Sequence, residues 1–476
     1  MVTMRHLPLA LVLAAAAAVG PAEAAPFTAG AAKRPITPEL KPGASVWMAG
    51  FANGRAATGV HDDLWARCLA ISSGRKPVVI CAIDSIGLFF EDVQKIRDGV
   101  RAKAGRDADV LVASTHVHEG PDTMGLWGAQ MSVSGIDEAY NALVVSRTVE
   151  AAAEALAGMR PAALRGGSVT PQDVGTFFDD DRPPNLNDPE ILALAVDGAN
   201  GRRIATLVNW ASHPEALGSR NTQITADWPW ALARDVERAA GGVAVFVNGA
   251  IGGMQSPLGA TFHDPKTGQP PAKDTFRFAE VVGEYVARHA LAAVATGRAW
   301  SAGDIEYRET VIEIPVTNQG YLMASRAGVF KGRKPMGPTK SVVAPMGYLK
   351  LVANGKAVLE AALIPGELYP ELSLGGVLPD PGADFPEAPA EKPVKRQMTA
   401  PMKMLIGLAN DEIGYIIPKA QWDEKPPFTF GAQKRWYGEV NSVGPDAAPL
   451  ILDAFARLVA SGGQQAGSQP PKPPAR

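Results

Sequence analysis

Two histidines two positions apart, His116 and His118 in "ASTHVHEGPDT" (residues 113–123), directly follow the apolar run of residues 109–112. A third, His213, stands in "NWASHPEAL" just past another apolar run that should end near Trp210. Three more chemically able side chains occupy the same kind of position. Ser256 closes the glycine-rich "VAVFVNGAIGGMQSP", Glu367 follows the apolar start of "AALIPGELYPEL", and Tyr415 follows that of "MLIGLANDEIGYIIP". Two imidazoles and a carboxylate match the needs of a catalytic zinc, which takes three protein ligands at about 2.0–2.2 Å and keeps one position open for water. Taken singly, each residue has a plainer reading. A strand-end histidine also serves as a hydrogen-bonded surface or core group, and a serine in a glycine-rich turn is by default a turn residue. In an extended "THVH" both imidazoles would point to one side, so both can face a single site.

Such residues need elements that bring them together. Short β-branched runs alternate with alanine-rich helical stretches: "PVVICAID" before "FEDVQKIRDGVRAKAG", "DVLVAS" before a helix around residues 136–157, and "VAVFVN" before "TFRFAEVVGEYVARHALAAVA". That alternation predicts an α/β protein with a mostly buried sheet flanked by helices. Within "EILALAVDGANGRRIATLVNW", two apolar segments flank a turn-rich "DGANGR", which is a hairpin signal, so the sheet is expected to be mixed. Loops beyond the C-terminal ends of parallel strands form the ligand crevice of such folds, and distant segments can converge there. Residues 262–275 and 378–400, rich in proline and charge, read as long loops.

The chain has 476 residues, 46% of them hydrophobic, enough for a large buried core. A net charge of -3 without a basic cluster argues against nucleic acid as a partner and leaves small polar or amphiphilic molecules. An early Arg5, an apolar stretch over residues 7–19 and the small-x-small site Ala22-Glu23-Ala24 fit a secretory signal over residues 1–24. The apolar stretch is shorter than the roughly 20 residues a membrane span needs. The protein is therefore expected to be exported, to the periplasm or out of the cell. Residues 25–460 are expected to form the functional domain, and the proline-rich residues 461–476 a disordered tail. Both cysteines, Cys68 and Cys81, sit in apolar runs that read as strands. Buried thiols are the default reading, with a single disulfide as the alternative that export opens.

The H-E-x-x-H zinc helix, the G-x-x-x-x-G-K-[ST] phosphate loop and the G-x-S-x-G nucleophile elbow are all absent from the sequence. Taken in order, however, "GVHDDLWARCLAI", "STHVHEGPDT", "NWASHPEAL", "GGMQSP", "PGELYPEL" and "GYIIP" resemble the catalytic region of the neutral/alkaline non-lysosomal ceramidases, from about residue 34 to residue 445. The most specific part is H-x-H-x-G-P followed about a hundred residues later by a strand ending in x-H-P.

The resemblance implies a zinc amidase that uses activated water to hydrolyse ceramide to sphingosine and a fatty acid, with one Zn2+ per chain and peripheral contact with a membrane. It implies His116, His213, Glu367 and Tyr415 as metal ligands. It also implies His118 and Tyr437 at the reacting group and Ser256 as a catalytic serine. Two departures accompany it. Met254 stands where the family often has Asn or Asp, and the family's C-terminal β-sandwich domain is expected to be lacking. Two further readings follow: the same site acting on a non-lipid small amide or ester, or an exported binding protein of the same fold without catalysis.

Overall fold

The computed structural model describes residues 25–180, 182–333 and 339–461, so the expected signal segment and the tail from residue 462 lie outside the described residues. The architecture is mixed α/β. A large sheet runs from the strand Val243–Asn248 through Arg203–Trp210, Ile191–Gly198 and Arg160–Val169 to Ala25–Pro35, then through Trp65–Ser72 and Val78–Ile83 to Asp109–Ser114. The first residues of Ala25–Pro35 also pair with a second limb, Ala302–Pro315, Ser341–Ala353, Lys356–Leu363 and Met402–Ile406. The "DGANGR" segment is the turn of an antiparallel hairpin, as its composition predicts. The long antiparallel strands Ala302–Pro315 and Ser341–Ala353 were not anticipated from the sequence.

Helices cover the sheet where apolar stripes require burial. Phe90–Ala104 and Glu138–Ala157 pack on one part of it, and Trp228–Ala240 and Phe276–Thr296 on another. Each starts where a local signal allows. Asp137 accepts the backbone N–H groups of Ala139 and Tyr140, so the helix expected from residue 136 begins at Glu138. Thr275 likewise caps Phe276–Thr296 through the N–H of Phe278. Residues 262–275 are without helix or strand, and 378–400 carry only the short helix Val394–Gln397.

Cys68 and Cys81 face each other on neighbouring antiparallel strands and are joined by a disulfide, which corrects the default reading of two free thiols. Side chains directly opposite across such a pair are among the closest neighbours in a sheet, so burial of both brings the sulfurs together.

Within the large sheet, three of the described strand pairs are parallel: Val78–Ile83 with Asp109–Ser114, Arg203–Trp210 with Val243–Asn248, and Lys356–Leu363 with Met402–Ile406. Their C-terminal ends are stitched together by main-chain hydrogen bonds, from Gly249 N–H to Trp210 C=O, Gly407 N–H to Asn248 C=O, and Ile364 N–H to Ile406 C=O. The segments that leave those ends carry the chemically able residues of the sequence.

Candidate metal and catalytic site

His116 and His118 emerge from the strand Asp109–Ser114, and His213 from Arg203–Trp210. All three are buried, their candidate ligand nitrogens within 4.8 Å of one another. The expected extended "THVH" is not what aligns the pair, because His116 has φ 69° and residues 115–118 lie in no strand. The turn at His116 is held by its N–H to the Ser85 carbonyl, and the two rings stand edge to face at 4.9 Å.

Two main-chain carbonyls define the chemistry of the cluster. His116 Nδ1 lies 2.6 Å from the Ile86 carbonyl oxygen, and His213 Nδ1 lies 2.8 Å from that of Gln255. A carbonyl only accepts, so both rings carry the proton on Nδ1 and turn a lone pair outward from Nε2. Those lone pairs meet the Glu367 carboxylate: His213 Nε2 is 3.0 Å from Oε2 and His116 Nε2 is 3.5 Å from it. Three buried donor atoms facing one another repel unless a cation joins them, so the set fits a divalent metal. Histidine ligands whose other nitrogen is held by a carbonyl are the usual arrangement around zinc.

Burial and the Glu367 carboxylate pull the two imidazoles in opposite directions. Burial pulls His116 down to about 3, with Glu367 opposing. Burial also works against protonation of His213, but the hydrogen bond to Glu367 and the fields of Glu215 and Glu367 prevail and raise it. Glu367 is pushed up by burial and brought down further by His116 and His213, so it stays ionised.

Glu367 and Tyr415 are partners in a short parallel pairing, braced by Glu367 N–H to Gly414 C=O and Tyr415 N–H to Asn441 C=O. Tyr415 lines the same cavity as His116, His118 and Glu367, and its hydroxyl lies 3.0 Å from the Met254 sulfur. Met254 has φ 60°, a conformation in which Asn and Asp are the commonest non-glycine residues, and it stands in the segment expected to differ from the ceramidase pattern. Burial, with Glu367 nearby, raises the Tyr415 phenol well above its ordinary value. Tyr437 stands at the rim, 47% exposed, its ring 5.9 Å from that of Tyr415.

Ser256 reaches the cluster by another route. The glycine-rich loop is pinned by Gly252 N–H to Leu368 C=O, at a contact where a Cβ on Gly252 would come within 2.6 Å of Tyr369. Ser256 itself pairs with Asp179 through two main-chain hydrogen bonds. Its hydroxyl accepts the Leu258 N–H at 3.1 Å and lies against Glu215, a residue the sequence reading passed over. Glu215 is fully buried, and its Oε2 is 3.1 Å from His118 Nδ1. Burial would raise that carboxyl, but His118, His213 and Ser256 hold it at about 2. A carboxylate two residues after a candidate ligand, in "SHPE", was the available signal. Behind His118, Arg55 donates to the main-chain carbonyls of Ala49 and His118, and Gly50 (φ 98°) passes so near the ring that a Cβ would sit 2.4 Å from it.

The cavity has a volume of about 60 Å³, and Phe89, Met124, Trp127 and Phe330 give it an apolar wall. Among the described residues no helix is long and apolar enough to cross a membrane.

No family model matches this chain, and no curated protein matches it in sequence. Solved structures do share its fold. The neutral ceramidase from Pseudomonas aeruginosa superposes with a TM-score of 0.70 at 18% identity, over 92% of this chain and 74% of that one. A ceramidase complexed with C2 gives 0.68 at 17% identity, over 91% and 75%. The chain thus has a ceramidase-like fold, with a buried histidine cluster suited to a metal at the C-terminal ends of its parallel strands.

Proposed function

We propose that this protein is an exported zinc-dependent amide hydrolase, with His116, His213, Glu367 and Tyr415 as metal ligands. The observation that carries the reading is the convergence of two carbonyl-locked imidazoles on the Glu367 carboxylate. The fold shared with two ceramidases supports an N-acyl amide as substrate. The Cys68–Cys81 disulfide supports export to an oxidising compartment.

An amide is a poor electrophile with a poor leaving group, so its hydrolysis near neutral pH needs a strong nucleophile, a stabilised oxyanion and a proton for the amine. Zinc, when bound, lowers the pKa of a water to about 7 and polarises a carbonyl. The chain's own residues do the rest. His118, with Nδ1 turned to Glu215 and Nε2 without a hydrogen-bond partner among the described residues, exchanges the proton with the departing nitrogen. Tyr437 at the cavity mouth offers its hydroxyl to the developing oxyanion. Ser256, whose hydroxyl lies against Glu215, helps to keep that carboxyl ionised beside His118.

Ceramide is the first substrate to test. The small cavity, about 60 Å³, favours the second reading, a compact non-lipid amide. Measuring zinc stoichiometry, with release of fatty acid from ceramides beside short N-acyl amines, decides between them. Protein that binds about one zinc and cleaves neither class is not an amidase of this kind. A stoichiometry near zero removes the metal site.

A further inference from the structure

Beyond the proposed metal ligands, His118 and Tyr437, the cavity wall is largely apolar and aromatic, and one acidic side chain interrupts it. Glu412 is buried, 3% exposed, and lines the cavity beside Glu367 and Tyr321. Its Oε1 accepts the Gly414 N–H at 2.7 Å, but its Oε2 has no hydrogen-bond partner among the described residues. The neighbouring charge is already matched, because the Arg333 guanidinium pairs with both Asp411 oxygens at 3.0 and 2.8 Å. Arg333 also donates to the Glu412 main-chain carbonyl and stacks over the Phe89 ring. Among the described residues, the Glu412 side chain thus keeps an unpaired oxygen in the wall outside the proposed metal ligands and His118. A buried carboxyl oxygen without a partner is costly, and pockets use a few such groups to orient a ligand.

Its position relative to the proposed metal ligands is defined by one residue. Gly414 donates its N–H to Glu412 and accepts the N–H of Glu367 on its carbonyl, so the two acidic side chains flank a single residue. Whatever Glu412 contacts therefore lies close to the reacting group. The space is small, about 60 Å³, and suits a compact group beside the site.

We propose that Glu412 is a specificity-determining residue that selects compact amides carrying a hydrogen-bond donor, a hydroxyl or amino group, close to the scissile carbonyl. This inference rests on the amidase reading for its substrate class. The donor pairs with Glu412 Oε2 while the apolar remainder meets Phe89, Trp127 and Phe330. An amide without the donor leaves the carboxyl buried and unpaired, and it binds more weakly for that reason.

The test is calorimetric binding to the zinc-loaded full chain, with hydrolysis followed separately. Three probes suffice: N-ethylpropanamide, its analogue with a hydroxyl on the carbon next to the carbonyl, and N-(2-hydroxyethyl)propanamide. At least one hydroxylated probe is expected to bind about tenfold or more tightly than the parent, a gap of about 1.4 kcal/mol. The advantage should vanish in Glu412→Met and survive in part in Glu412→Gln, which keeps an acceptor. Equal binding of all three probes by the wild-type chain overturns the proposal without recourse to any variant. An advantage that Glu412→Met retains, with its melting temperature unchanged, also overturns it. Discrimination in binding without hydrolysis of any probe sinks the amidase reading and leaves the role of Glu412 standing.

Discussion

Glu215 Oε2 lies 3.1 Å from His118 Nδ1, and the same carboxyl lies against the Ser256 hydroxyl. One buried carboxylate thus joins the two polar side chains that the ceramidase resemblance assigned to catalysis separately. Replacing Glu215 with Gln keeps the volume and removes the charge that orients the imidazole. The expected result is a fall in kcat of about 10–100-fold, the scale seen when outer partners of catalytic or ligating histidines are lost. KM and zinc content should stay near wild type. Steady-state kinetics with metal analysis reads all three. Loss of zinc from Glu215→Gln would make His118 a ligand.

The proposed ligands predict a different pattern. His116→Ala and His213→Ala each remove one of the two lone pairs that face Glu367 at 3.5 and 3.0 Å, so both variants should lose bound zinc together with activity. Chelation of the wild-type protein should do the same, with recovery on adding zinc. Full metal content in both histidine variants would rule out the assignment.

Ser256 and Tyr437 should behave unlike the ligands. Ser256→Ala is expected to keep its zinc and lose rate, because its hydroxyl contacts Glu215. Tyr437→Phe, at the exposed rim, should also keep its zinc and lower kcat by up to about 10²-fold, as loss of one oxyanion donor does. Wild-type turnover in either variant removes that residue from the mechanism.

The parallel-strand ends were legible because buried strands leave continuous apolar runs, and polar residues just past such runs stand out. His116, His118, His213, Ser256, Glu367 and Tyr415 were all found by that one rule, and their segments do converge. Glu215 and Glu412 were missed for the complementary reason. Their importance comes from tertiary contacts, the first with His118 and the second with the cavity wall, and apart from the place of Glu215 two residues after His213 the surrounding residues do not mark either acidic side chain. The register of the "THVH" pair was misjudged because the left-handed backbone at His116 is imposed by its bond to Ser85, 31 residues earlier. The strands Ala302–Pro315 and Ser341–Ala353 escaped notice since many of the residues along the first are only half-buried, which blurs the apolar signal.

The Cys68–Cys81 bond offers a test that is independent of the site. The sulfurs join strands already paired in register, with a sequence separation of 13. Closing a loop of that size removes unfolded-chain entropy worth about 3 kcal/mol, on a model in which the native state is unstrained. A Cys68→Ala/Cys81→Ala variant should therefore unfold at lower denaturant by about 2–3 kcal/mol while binding zinc as the wild type does, because both residues sit inside the sheet, away from the strand ends that carry the histidines. Equilibrium denaturation with the zinc level held constant measures the difference. An unchanged midpoint would mean that strand pairing alone holds these residues together, and it would withdraw the disulfide's support for an oxidising destination.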